Sequence, residues 1–211
     1  MDEPTRSSTA DIQGGTTDST HTFELGVCLG SPGNCQAICT GTLIAPNLVA
    51  TARHCVSQVP QGNVDCATTR FGTQYSASSL WVTTNQSIFT GSGTWARGAK
   101  ILTPTPTLLC GNDIALIILS TSIPSSAATP VTPNVLYNMT DRCNISKLED
   151  TAIGYGLTAP NTNTAGIRHI RQHIPFNCIP GDRYFDCKAH GYTEIADQEF
   201  FSGDGPCEGD S

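Results

Sequence analysis

The sequence predicts an all-β protein of short strands, folded as a sandwich or a barrel. Three observations carry that prediction. Charged residues make up only 14% of the chain, and lysine occurs just at Lys100, Lys147 and Lys188. A helical protein would need Glu and Lys on its exposed faces, whereas here Ser, Thr, Gly, Pro and Asn fill the surface. Apolar residues also recur in short runs bounded by turn residues, and no segment sustains a 3.6-residue period.

The elements follow in order. Residues 1–11 are polar and loop-like, and read as a leader. Strand-sized apolar runs come next: Ala37-Ile38-Cys39, Thr42-Leu43-Ile44, Asn47-Leu48-Val49-Ala50, Leu80-Trp81-Val82, and Ile114 to Leu119. Residues 121–134 are a Pro/Ser/Thr/Ala stretch, expected to act as an extended connector that supplies no core. Strand signals resume at Asp150 to Gly156 and at Ile167 to Ile174. The plan is two β-units joined by a crossing connector, the second visibly shorter.

Charge and cysteine content narrow the class. The net charge is -7, and no basic stripe exists to displace counterions from phosphates, which excludes a nucleic-acid partner. No stretch is long and apolar enough for a membrane span, so no membrane partner is expected. Ten cysteines lie at irregular spacings without paired C-x-x-C elements, a pattern of disulfides in an oxidising compartment and not of a zinc site. An exported protein is therefore expected, although the polar opening Met1-Asp2-Glu3-Pro4 has no signal-peptide apolar core. Sequons at Asn85, Asn138 and Asn144 fit export but arise readily by chance in so Asn- and Ser-rich a chain.

Three short segments carry chemistry together. Amide hydrolysis at neutral pH takes a nucleophile, a base to remove its proton, a group that orients the base, and donors for the oxyanion. Histidine suits the base because its ordinary pKa is near 6.5. The chain offers His54 in Thr51-Ala52-Arg53-His54-Cys55, Asp113 in Asn112-Asp113-Ile114-Ala115-Leu116, and Ser211 in Gly209-Asp210-Ser211. Each is ordinary alone. A His beside a Cys is usually structural, and an Asp before a strand is usually a cap or turn residue.

In combination, and in the order His54, Asp113, Ser211, these segments resemble the chymotrypsin-like (trypsin-like) serine protease family. The block from Cys39 to Cys55 is similar to the family's C-x-G-[ST]-L-I…V-x-T-A-x-H-C. Gly111 to Leu116 is similar to N-D-I-A-L, Tyr155-Gly156-Leu157-Thr158 to G-[WY]-G-x-T, and Gly205 to Ser211 to the approach to G-D-S-G-G-P. The resemblance runs from about Ile12 to Ser211. It implies two six-stranded antiparallel β-barrels of chymotrypsin type: the first over 12–120 with His54 and Asp113, a linker over 121–140, and an incomplete second barrel over 141–211 with Ser211.

The same resemblance implies roles, following the family's triad template. Ser211 is the nucleophile, His54 the base, Asp113 its orienting carboxylate, and the N–H groups of Gly209 and Ser211 the oxyanion hole. A Cys39–Cys55 bridge clamps the His54 loop, worth about 3 kcal/mol in the chain-entropy account. Gly205, six residues before Ser211, lies where the family often has a pocket aspartate, so a preference for Arg or Lys is not implied. Ile12-Gln13-Gly14-Gly15 is similar to the activation sequence I-V-G-G. Cleavage before Ile12 by an activating protease would free an ammonium to pair with Asp210. Asp11 precedes Ile12, so a trypsin-like activator would act after Arg6 with later trimming. The alternative at this position is an ordinary Gly-Gly turn.

The resemblance thus implies a secreted, monomeric serine endopeptidase acting on polypeptides without cofactor or metal. Since the sequence stops at Ser211, it also implies an unclosed second barrel, an unpaired Cys207, and little or no activity for this polypeptide alone. The alternative function is a non-catalytic homologue that binds proteins through the same scaffold. Other residues receive structural readings: His21, His169, His173 and His190 as surface histidines, and Trp81 and Trp95 as packing residues. Cys28/Cys35 and Cys178/Cys187 are candidates for local bridges. Asp182 and Asp186 are too few oxygens for calcium.

Overall fold

A computed structural model describes residues 12, 14–60, 64–135, 149–159, 162–193, 195, 197 and 199–203. Six strands close a barrel: β2 (Glu24–Ser31), β3 (Asn34–Ala45), β4 (Leu48–Thr51), β5 (Leu80–Thr83), β6 (Trp95–Leu102) and β7 (Ala115–Leu119). Their order around the barrel is β2-β3-β4-β7-β6-β5, and every pairing is antiparallel. Closure removes the unpaired edges that an open sheet of this size would expose. A four-stranded partial sheet follows from the rest: β1 (Thr16–Thr17), β8 (Glu149–Gly154) and β10 (Phe201–Ser202), all pairing with the long β9 (His169–Cys178). The fold is all-β and matches the chymotrypsin type, with the second unit represented by this sheet.

Side-chain alternation explains why these runs are strands. In β7, Ala115, Ile117 and Leu119 are buried while Leu116 and Ile118 are only partly covered. That two-residue period puts one face into the barrel. Leu25, Val27, Leu43, Val49, Leu80, Val82 and Ile117 meet there with at most 1% of their surface exposed. Gly41 on β3 admits this packing. A Cβ there would sit 2.7 Å from Val49 and 3.0 Å from Val27, so only glycine lets the two valines approach. The 121–134 stretch departs from expectation, because Ile123 and Ala128 are each 3% exposed and join the barrel core. Main-chain bonds from Ile123 N–H to Pro46 and from Val131 N–H to Leu43 seat it. Sparse apolar residues in a polar stretch gave no period to read, and only docking against the barrel reveals them.

Four disulfides occur among the described residues: Cys28–Cys35, Cys39–Cys55, Cys66–Cys110 and Cys178–Cys187. Cys143 and Cys207 lie outside those residues. Asn85, one of the three sequon residues, uses its side-chain amide to donate to the carbonyls of Thr90 and Ser92, at 3.1 and 2.7 Å. That bonding holds the turn between β5 and β6. Asp182 and Asp186 accept bonds from the N–H groups of Tyr184, Phe185 and Gly181 within the Cys178–Cys187 loop and of Ala189 just past it. Among the described residues, no helix is long and apolar enough to cross a membrane.

A buried polar network joins the two units. The Arg168 side chain, 1% exposed, donates from Nε to Asp18 Oδ2 at 3.0 Å. Its Nη1 reaches the carbonyls of Glu24 and Thr84 and the Tyr155 hydroxyl. Tyr155 in turn donates to the Asn85 carbonyl at 2.6 Å, and burial pushes its phenol up to about 12. Each buried donor therefore has a fixed acceptor, which is what makes burying a guanidinium tolerable. Nearby, burial pushes the Glu24 carboxyl up to about 7, against the opposing Thr42 hydrogen bond and the charges of Arg168 and His21.

Two predictions follow from this junction. Asp18→Ala leaves Arg168 buried without its counter-charge and is expected to cost about 3–5 kcal/mol. Asp197→Ala, which breaks the exposed Lys188–Asp197 pair, is expected to cost less than about 1 kcal/mol. Urea denaturation of both variants checks the contrast, and equal losses would refute it. Glu24 binds its proton more tightly folded than unfolded, so its contribution is full below its ordinary 4.5 and is lost as pH rises to about 7. Between pH 5 and 8 the wild type should lose roughly 2–3 kcal/mol more than Glu24→Gln. Identical pH dependence in the two proteins would contradict this.

Candidate active site

Strand register brings His54 and Asp113 together. β4 and β7 pair antiparallel with Thr51 opposite Ala115. Continuing that register past the end of β4 carries residue 53 toward residue 113. The chain leaves β4 through Ala52, in extended conformation, and tightens into a 3₁₀ turn at Arg53–Cys55. Cys55 is bridged to Cys39 on β3, and Thr51 Oγ1 donates to the Thr40 carbonyl at 2.6 Å. The turn is thereby fixed to the barrel from both sides.

A 3₁₀ turn begins with N–H groups that have no partner within the turn. Here the Asp113 carboxylate supplies the acceptor. The His54 main-chain N–H donates to Oδ1 at 2.8 Å, and the His54 ring Nδ1 lies 2.7 Å from Oδ2. Burial raises the Asp113 pKa, but the hydrogen bond and charge of His54 and the N–H groups of His54 and Arg53 outweigh it, holding the carboxyl below its ordinary value. An ionised Asp113 is acceptor-only, so it selects the tautomer protonated on Nδ1 and leaves Nε2 as the basic nitrogen. The two side chains remain 15% and 26% exposed, so the pair is sheltered but reachable.

The loop that delivers Asp113 is tied down along its length. The Cys66–Cys110 disulfide anchors it, and Leu109 N–H donates to Thr69. Gly111, at φ 74°, takes the left-handed conformation a side chain would disfavour. Its N–H donates to Glu199 Oε1 at 3.0 Å, a contact with the second unit. Cys39, His54 and Cys55 offer the one grouping with metal-ligand spacing among the described residues. Its two sulfurs are bonded to each other, so it is not a ligand set.

Comparison with known proteins decides the family. The trypsin family model matches residues 12–211. The chain belongs to the trypsin family. Among solved structures, the scabies mite inactivated protease paralogue S-D1 is similar at a TM-score of 0.63 and 19% identity, over 91% of this chain and 74% of that one. A protein named GrC is similar at a TM-score of 0.62 and 16% identity, over 92% of this chain and 76% of that one. No curated protein sequence matches the chain.

The other expected site residues of this trypsin-family chain fall in two groups. Ser211, Gly209, Asp210 and Gly205 lie outside the described residues. Ile12 is described, and it is buried. Its N–H donates to the Leu157 carbonyl at 2.6 Å, and its side chain lies against Gly15 and Gly154. Gly14 is left-handed at φ 65°, so the Gly-Gly turn and a seated Ile12 are features of one arrangement. The surface reading of the histidines needs one correction. His169, on β9 between β1 and β8, is 5% exposed, and its Nδ1 has no partner among the described residues. His173 and His190 are exposed, and His21 is paired with Asp18. Sequence reasoning passed over Arg53, Glu199 and Thr40. Their bonds join segments distant in sequence and leave no local pattern to read.

The cap on the His54 turn is directly testable. Asp113→Ala removes the acceptor of the His54 main-chain N–H and is expected to cost roughly 1–3 kcal/mol at neutral pH. Because the Asp113 pKa is depressed on folding, this advantage exists above the ordinary carboxylate value and is lost as pH falls through the folded-state value. Denaturation midpoints of wild type and variant should converge in acid, and a constant gap would contradict the assignment.

Proposed function

We propose that this protein is a secreted serine endopeptidase, working through Ser211, His54 and Asp113. The observation that carries the reading is the 2.7 Å contact between His54 Nδ1 and Asp113 Oδ2 in a chain of the trypsin family. It provides a basic Nε2 backed by an ionised carboxylate, the orientation general-base catalysis requires. The disulfides fit an oxidising destination.

In the proposed reaction Ser211 Oγ attacks the substrate carbonyl carbon while His54 Nε2 takes its proton. The N–H groups of Gly209 and Ser211 hold the oxyanion. The C–N bond then breaks, the imidazolium returns the proton to the leaving amine, and water releases the acyl group by the same steps in reverse. Asp113 keeps the ring oriented and balances its positive charge. Gly205 belongs to the substrate pocket, and cleavage before Ile12 by another protease frees an ammonium for Asp210. The enzyme is a monomer and needs no cofactor, metal, membrane or nucleic acid.

A second reading is a non-catalytic protein-binding homologue, favoured by the likeness to an inactivated protease paralogue. A fluorophosphonate probe separates the two. The protein purified from its natural source should be labelled at Ser211. Full-length His54→Ala should react about 10²- to 10⁴-fold more slowly, and Ser211→Ala not at all. An unlabelled natural protein, tested both before and after limited proteolysis, would leave the binding reading.

A further inference from the structure

Arg53 is a buried cation that the proposed chemistry does not use. It is 8% exposed, directly precedes His54, and has no carboxylate partner among the described residues. Its Nη1 donates to the carbonyls of Pro104 and Pro106, at 3.2 and 2.6 Å. Its guanidinium lies over the Phe71 ring, 4.5 Å from the centroid, and its Nε has no partner among the described residues. Among the described residues, carbonyl dipoles and the ring face are what stabilise the guanidinium.

The partners explain the placement. Thr103-Pro104-Thr105-Pro106-Thr107 carries two residues without N–H groups, so the segment cannot enter a regular ladder. Other bonds must fix it. Phe71 N–H donates to the Thr107 carbonyl, Arg70 Nη1 to Thr107 Oγ1, and Arg53 covers the two proline carbonyls. The next residues lead through Cys110 to Asp113. At its other end Arg53 adjoins the site itself, since the next residue, His54, donates its main-chain N–H to Asp113 Oδ1 at 2.8 Å. The Arg53 side chain therefore grips the segment that delivers the carboxylate, and the backbone of the very next residue grips the carboxylate.

We propose that Arg53 is a positioning residue: its side chain latches the 103–107 segment to the turn carrying His54, and so sets the approach of Asp113 to the imidazole. The catalytic consequence rests on the protease reading above, whereas the positional statement does not. The test uses full-length Arg53→Met, Arg53→Lys and Phe71→Leu, with two readouts. The first is the downfield proton resonance of the hydrogen-bonded His54 Nδ1–H, assigned by its loss in His54→Ala. The second is the pH profile and rate of fluorophosphonate labelling.

Arg53→Met, measured well below its melting midpoint and folded by circular dichroism, should lose or broaden the resonance. Its labelling should slow by about 10- to 100-fold, as for a small misplacement of a catalytic group, with a shifted pH profile. Arg53→Lys, which can still donate to one carbonyl, should recover most of both. Phe71→Leu should move them in the same direction by less, and it decides the matter if Arg53→Met does not fold. Folded variants with the wild-type resonance and pH profile would overturn the proposal. If the wild type labels nowhere, the protease reading fails and the resonance alone decides the role of Arg53.

Discussion

The pairing of β4 with β7 is the constraint on which the site depends. It sets Thr51 opposite Ala115, and every residue just beyond those strand ends inherits the alignment. A slip of one residue would invert the faces of β7, burying Ile118 in place of Ile117 and carrying Asp113 away from the His54 turn. The barrel core therefore enforces the geometry of the site. Ile117, with none of its surface exposed, and Asp113 four residues earlier are held by one register.

Around that pairing the protein uses polar groups as structural ties more than its composition suggests. The cap on the His54 turn, the carbonyls held by Arg53 and the Arg168 network all place a charged group where water is scarce. Each is tolerated because the partners are fixed backbone groups or opposite charges. These ties also join segments far apart in sequence. Arg168 bonds to Asp18, 150 positions away, and Arg53 to Pro106, 53 positions away. Apolar contact alone is non-directional, so it fills the barrel but cannot aim a carboxylate at an imidazole ring. Directional bonds do that.

The two units divide the proposed chemistry between them. The first supplies base and orienting carboxylate on a closed barrel, and the second leads toward Ser211. Among the described residues, specific contacts join them near the site. Glu199 reaches the N–H of Gly111, two residues before Asp113, and Tyr155 N–H reaches Thr40 Oγ1, next to Cys39. Ile12 sits at the same junction, against Gly154. The N-terminal segment, the disulfide that clamps the His54 loop and the start of the second sheet thus share one neighbourhood.

Much of this was legible from residue order. Short alternating runs specify strands because a two-residue period can bury only one face of a sheet, and the segments around His54 and Asp113 are contiguous enough to be read as motifs. The Cys39–Cys55 bridge, implied by the resemblance of the His54 block to the family, is present. The remainder depended on contacts between distant segments, which leave no local pattern. Ile123 and Ala128 look like linker residues until they dock on the barrel. His169 looks like a surface histidine until β1 and β8 cover it, and Arg53 is one unremarked position inside a motif. Local sequence determined which segments become strands and which residues could do chemistry. Tertiary structure decided which polar groups are buried and what they bond, because burial is a property of packing and no single segment carries it.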